Sequence, residues 1–66
     1  MIEIRTFVEK KILNQYFPKT KDEAAKIYWQ QSFEPNQYTM LILDGKAKTI
    51  AEAEIYLGLP RGYANY

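Results

Sequence analysis

The chain contains no cysteine in its 66 residues, and this limits how it can be held folded. A domain of this length buries only about 60% of the surface its unfolded chain exposes, so its stability is marginal. Without a disulfide or a thiolate metal site to staple it, apolar burial within one chain or across a dimer must supply the stability. The composition is suited to that task, with 47% hydrophobic and 15% aromatic residues. There is room for one domain, residues 1–66, and no internal repeat or linker divides it.

Local signals for helix are strong at two places. Thr20 followed by Glu23, and Thr49 followed by Glu52, are both capping boxes, in which the hydroxyl accepts from the third backbone N–H and the carboxylate reaches back. The first predicts a helix from Lys21 to about Ser32 with Ala24, Ile27, Tyr28 and Gln31 along one face. The second predicts a helix starting at Ile50 and ending at Gly58, which is free to take the left-handed conformation. Pro60 is suited to open another helix. Nearer the amino end, Ile4, Val8, Ile12 and Tyr16 recur every four residues, flanked by Phe7, Leu13 and Phe17, the spacing of an amphipathic helix that Pro18 ends.

The stretch from Glu34 to Gly45 reads two ways. Pro35 and Gly45 bracket a short helix with Tyr38, Leu41 and Ile42 on one face, whereas Tyr38–Leu43 followed by Asp44-Gly45 is a strand-and-hairpin signal. The helical reading gives an all-α fold, a small helical bundle with a carboxyl-terminal helix-turn-helix-like unit. The alternative is α+β with a hairpin over 37–49.

Thr49-Ile50-Ala51-Glu52-Ala53, Tyr56-Leu57-Gly58-Leu59 and Arg61 resemble the helix-turn-helix of excisionase and MerR-like regulators, where a run close to T-V-E-E-A-A-E-Y-L-G-V-S-R recurs. The resemblance covers about a quarter of the chain. It implies a small DNA-binding regulator of phage or mobile-element type, with double-stranded DNA as partner and a second helix entering the major groove. In such a docking Lys46 and Lys48 meet phosphates, Arg61 meets a phosphate or a guanine edge, and Tyr63, Asn65 and Tyr66 complete the DNA-binding set, the tyrosines by stacking or phosphate contact. The same lysines also serve as ordinary solubilising charge.

Charge and aromatic content favour a rival. Nine basic residues against eight acidic give a formal charge of +1, far from the basic excess of dedicated nucleic-acid binders. Six tyrosines and a tryptophan suit a protein-interaction module, an inhibitor or adaptor that offers an aromatic face to a larger protein. A homodimer joined through aromatic surface on the amino-terminal helices is a further expectation.

Catalysis is not expected. The chain has neither His nor Cys, the usual general base and thiolate nucleophile. Its one serine, Ser32, lies outside any nucleophile-elbow pattern. The carboxylates show no metal-ligand spacing, so no cofactor, metal or small-molecule substrate is expected. With no signal-peptide or membrane-spanning run, no membrane partner is expected and a cytoplasmic location is the default.

Overall fold

The structure, a computed structural model, describes residues 1–60. It is α+β, not the all-α bundle expected. Strands β1 (Ile2–Val8) and β2 (Lys11–Tyr16), helix α1 (Lys21–Ser32), strands β3 (Tyr38–Leu43) and β4 (Lys46–Ala47), and helix α2 (Ile50–Leu57) follow one another along the chain. The four strands form one antiparallel sheet in the order β2-β1-β3-β4.

The first correction concerns the amino-terminal helix expected over residues 4–17, which is a hairpin. Four is nearly one helical turn, but it is also an even multiple of the two-residue strand repeat. Ile4 and Val8 therefore share a face in either structure, whereas the slip in β2 sets Tyr16 opposite Ile4 but Ile12 opposite Phe7, on the other face. The strand alternation decides here: Ile4 and Thr6 are buried, while Glu3, Arg5 and Phe7 between them are half-buried. Two residues, Glu9 and Lys10, turn the chain with φ of 51° and 69°. Positive φ at both central positions is the geometry whose twist matches that of the flanking strands.

The second correction concerns the short helix read between Pro35 and Gly45. Residues Tyr38–Leu43 are β3, as the hairpin alternative had it. β3 pairs with β1 from Ile2–Leu43 to Phe7–Tyr38, so a strand next to it already offers a full ladder. Asp44 and Gly45 then turn the chain with φ of 49° and 81°, a conformation that glycine takes without steric cost. The backbone N–H of Lys48 donates to Leu41 O at 2.9 Å, extending the pairing just beyond β4.

Both capping sites start helices where the sequence places them. Thr20 Oγ1 accepts from the Glu23 N–H at 3.1 Å, and the Glu23 carboxylate accepts from the N–H of Lys19, one residue earlier than a reciprocal box. At α2 the box is complete: Thr49 Oγ1 accepts from Glu52 N–H at 3.2 Å, and Glu52 Oε1 accepts from Thr49 N–H at 3.0 Å. Gly58, with φ of 69°, ends α2. The N–H groups of Gly58 and Leu59 donate to the carbonyls of Ile55 and Glu54 at 3.3 and 2.9 Å, a paired closure that satisfies two carbonyls at the helix end.

Both helices pack on one face of the sheet. Ile4 and Leu41 from the central strands meet Ala24 and Tyr28 of α1 and Ala53 and Leu57 of α2 in a single buried cluster, with Ile2, Tyr16, Leu43, Tyr56 and Leu59 around it. The small Ala24 and Ala53 let the helices sit close to the sheet, and Tyr28, 1% exposed, fills the space between. None of the helices among the described residues is long and apolar enough to cross a membrane.

Candidate interaction surface

Because both helices lie on one side, the side chains that alternate with the core residues face the other way. On β1 these are Glu3, Arg5 and Phe7. Their register partners on β3 are Ile42, Met40 and Tyr38. On β2, Gln15 stands opposite Arg5 and Ile12 opposite Phe7, and Ala47 of β4 stands opposite Ile42. Among the described residues no helix covers this face.

The face has two halves of different character. One is polar: Arg5 Nε donates to Glu3 Oε2, which also accepts from Gln15 Nε2 at 3.1 Å. The Arg5 guanidinium, helped by Gln15, holds the Glu3 carboxyl below its usual range. The other half is apolar. The Phe7 and Tyr38 rings lie 6.3 Å apart at a 43° tilt, within the range of favourable aromatic pairing. Ile12 beside Phe7 is 52% exposed, and Met40 is half-buried. Between Ile12 and Asn14 the β1–β2 register slips, because two residues of β2 take the space of one. Leu13, at that slip, is also 52% exposed.

The DNA-binding residues read from the sequence fall elsewhere. Lys46 is exposed on β4 opposite Leu43, so it points to the helix side of the sheet. Lys48 lines a groove of about 300 Å³ with Leu43, Glu52, Ile55 and Tyr56. The Thr49 backbone N–H lowers the Glu52 pKa most, and the charge of Lys48 adds to the effect. Lys21 Nζ lies 4.2 Å from the centre of the Tyr56 ring on the same side. The structure thus brings Lys46 and Lys48 to the amino-terminal approach of α2, whereas Arg61, Tyr63, Asn65 and Tyr66 lie outside the described residues.

The tyrosines divide between core and surface. Tyr28 is buried, Tyr16 and Tyr56 half-buried, and Tyr38 exposed. Trp29 and Phe33, one helical turn apart, meet edge to face at 5.1 Å and are 36% and 57% exposed. Ser32 is buried and its hydroxyl donates to Tyr28 O at 2.6 Å. Glu54 of α2 is 3% exposed. Among the described residues no three His, Cys, Asp or Glu side chains are grouped to hold a metal ion.

Sequence reasoning missed the Phe7–Ile12–Met40 surface because it assigned residues 4–17 to one helix. The alternation of Ile2, Ile4 and Thr6 against Glu3, Arg5 and Phe7 was the available signal. No protein-family model matches this chain, and neither a curated protein nor a solved structure does.

Proposed function

We propose that this chain is a non-enzymatic protein-interaction module whose larger partner seats on the sheet face that carries Phe7, Ile12 and Met40. One observation carries the reading: a four-stranded sheet with both helices on one side, and apolar side chains beside a polar clasp on the other. Exposed apolar surface rimmed by polar groups marks interaction sites in small soluble domains. Phe7 and Met40 are of the residue types enriched at the centres of interfaces, and the Glu3–Arg5–Gln15 cluster supplies hydrogen-bonding groups for the rim.

The test is photo-crosslinking in the native host with benzoylphenylalanine at Met40, and at Lys26 on the exposed side of α1 as control. The expected result is a discrete adduct with a different protein from Met40, absent from Lys26 and lost when Phe7→Ser is added. Equal adducts from the two positions, or an adduct indifferent to Phe7→Ser, overturn the reading.

A second reading, sequence-specific binding of double-stranded DNA, has the start and end of α2 in its favour. The complete capping box at Thr49 and the left-handed Gly58 are what the first helix and turn of the resembling regulators require. Its test is a salt-titrated DNA-binding measurement. Arg61→Ala should cost about 1–3 kcal/mol of affinity, and Lys46→Ala or Lys48→Ala should each reduce the salt slope by about one. Binding at the weak non-specific level, unchanged by all three, removes the DNA reading.

A further inference from the structure

We infer that the outer edge of β2 is a self-association seam, where a second copy of this chain adds its own β2 antiparallel and makes one sheet continuous through both copies. This does not rest on the reading of the sheet face, because it concerns the backbone at the edge.

The sheet has two edges, and they differ. On one side β4 spans only Lys46–Ala47 and leaves Tyr38–Met40 of β3 paired with β1 alone among the described strands, so that edge is stepped into two short stretches. β2 spans six residues, Lys11–Tyr16, and lies at the end of the strand order with β1 on one side alone. Alternate residues of an edge strand turn N–H and C=O outward, so on either side of the slip at Leu13 this edge offers groups able to bond another strand. From Lys11 to Gln15 every residue is exposed, Ile12 and Leu13 at 52% each.

Native edges are usually blunted by an interior charge, a proline or a bulge. β2 carries the bulge near Leu13 but has no charge or proline between Ile12 and Tyr16. Its single charge, Lys11, stands at one end.

That placement favours a second copy as the occupant. Turning one β2 about the midpoint between Leu13 and Asn14 sets Lys11 opposite Tyr16 of the other copy, Ile12 opposite Gln15, and Leu13 opposite Asn14. Just beyond, Lys10 comes opposite Phe17, itself 57% exposed. Each cation then meets an aromatic ring and no like charges meet. A parallel alignment would stack Lys11 on Lys11, which is unfavourable. The strand is its own complement in the antiparallel sense only. Pairing also brings the Ile12 and Leu13 side chains of both copies into one seam. That extends burial in a chain whose buried core is small.

The experiment is sedimentation equilibrium over a concentration series, paired with backbone amide hydrogen exchange on the unmodified chain at the two ends of that series. The expected result is a discrete dimer at high concentration, with alternate amides of β2 gaining protection as it forms and those of β4 unchanged. Leu13→Lys should weaken dimerisation by about tenfold or more, since each copy then carries an extra charge into the seam, with circular dichroism unaltered. A monomer at every concentration overturns the proposal. So does a dimer whose β2 amides exchange at the dilute rate, which would instead be joined through another surface. A chain whose β2 amides are protected only by an added extended peptide also overturns it, because the edge then belongs to a different partner. The exchange measurement decides the matter even if Leu13→Lys does not fold. Its failure leaves the Met40 crosslinking result untouched.

Discussion

Thr6 and Thr39 stand in register across β1 and β3 on the helix-covered face, and neither is exposed to solvent. Neither Oγ1 has a hydrogen-bond partner among the described residues. A buried hydroxyl without a partner loses its hydration and gains nothing in return. Thr6→Val and Thr39→Val each replace that oxygen by a methyl group of similar shape and keep the branching that strands prefer. Each should raise stability, by about 1 kcal/mol, in urea denaturation. Destabilisation by either would show that the hydroxyl is hydrogen-bonded in solution.

The turn between β1 and β2 offers a second gain. Glu9 and Lys10 both take positive φ, a conformation costing a residue with a β-carbon about 1 kcal/mol or more. Glu9→Asn with Lys10→Gly installs the pair this turn type prefers. The double variant should gain about 1 kcal/mol and raise the melting temperature. A lower melting temperature would contradict the hairpin.

A third prediction separates strand from helix along residues 4–17. Leu41, fully buried against Ile4, should cost about 2–5 kcal/mol when changed to alanine. Leu13, half-exposed on β2, should change stability by less than about 0.5 kcal/mol under the same substitution at dilute concentration. Comparable losses at both positions would place Leu13 in the core and reject the sheet assignment.

Acid should destabilise the fold through three carboxylates. Glu3, Glu52 and Asp44 are held below their ordinary values, Glu3 chiefly by Arg5, Glu52 by the Thr49 backbone N–H, and Asp44 by the amino-terminal ammonium of Met1. A carboxyl with a lower pKa in the folded state stabilises above its unfolded pKa, and that contribution is lost as pH falls through the folded value. The urea midpoint should therefore be flat above about pH 5 and fall on further acidification. Glu52→Gln keeps an oxygen to accept from Thr49 but no longer titrates, so its decline should be shallower. An acid profile identical to that of the parent would mean that the cap carboxylate contributes nothing to it.

Legibility in the sequence followed the range of the interactions. Both helices among the described residues were readable to within a residue, because Thr20–Glu23, Thr49–Glu52 and Gly58 act through bonds spanning three to five positions. The β1–β3 ladder joins residues as far apart as Ile2 and Leu43, and no local signal announces it. The Asp44-Gly45 turn was visible as a hairpin dipeptide, whereas Glu9-Lys10 performs the same turn with residues that do not advertise it. Lys46 and Lys48, named for DNA, lie off the candidate surface, and the Phe7–Ile12–Met40 face was hidden by the helical reading of its first strand. The Thr49 and Gly58 signals also do not reveal which surface of α2 a partner would meet.

The strand order sets a timetable for folding. β1 and β2 emerge together during synthesis and can pair at once, but the other side of β1 waits for β3. About 35 residues lie between the end of β1 and the end of β3, so at about 5–20 residues per second the interval lasts ~2–7 s. α1 is made within it and forms far faster than it is followed. The nascent chain is thus a hairpin and a helix whose shared apolar face has no second wall, and closure must come in one late step when β3 docks. Completion of this sheet is tied to the middle of the chain, and until β3 is made the second side of β1 has no strand to pair with.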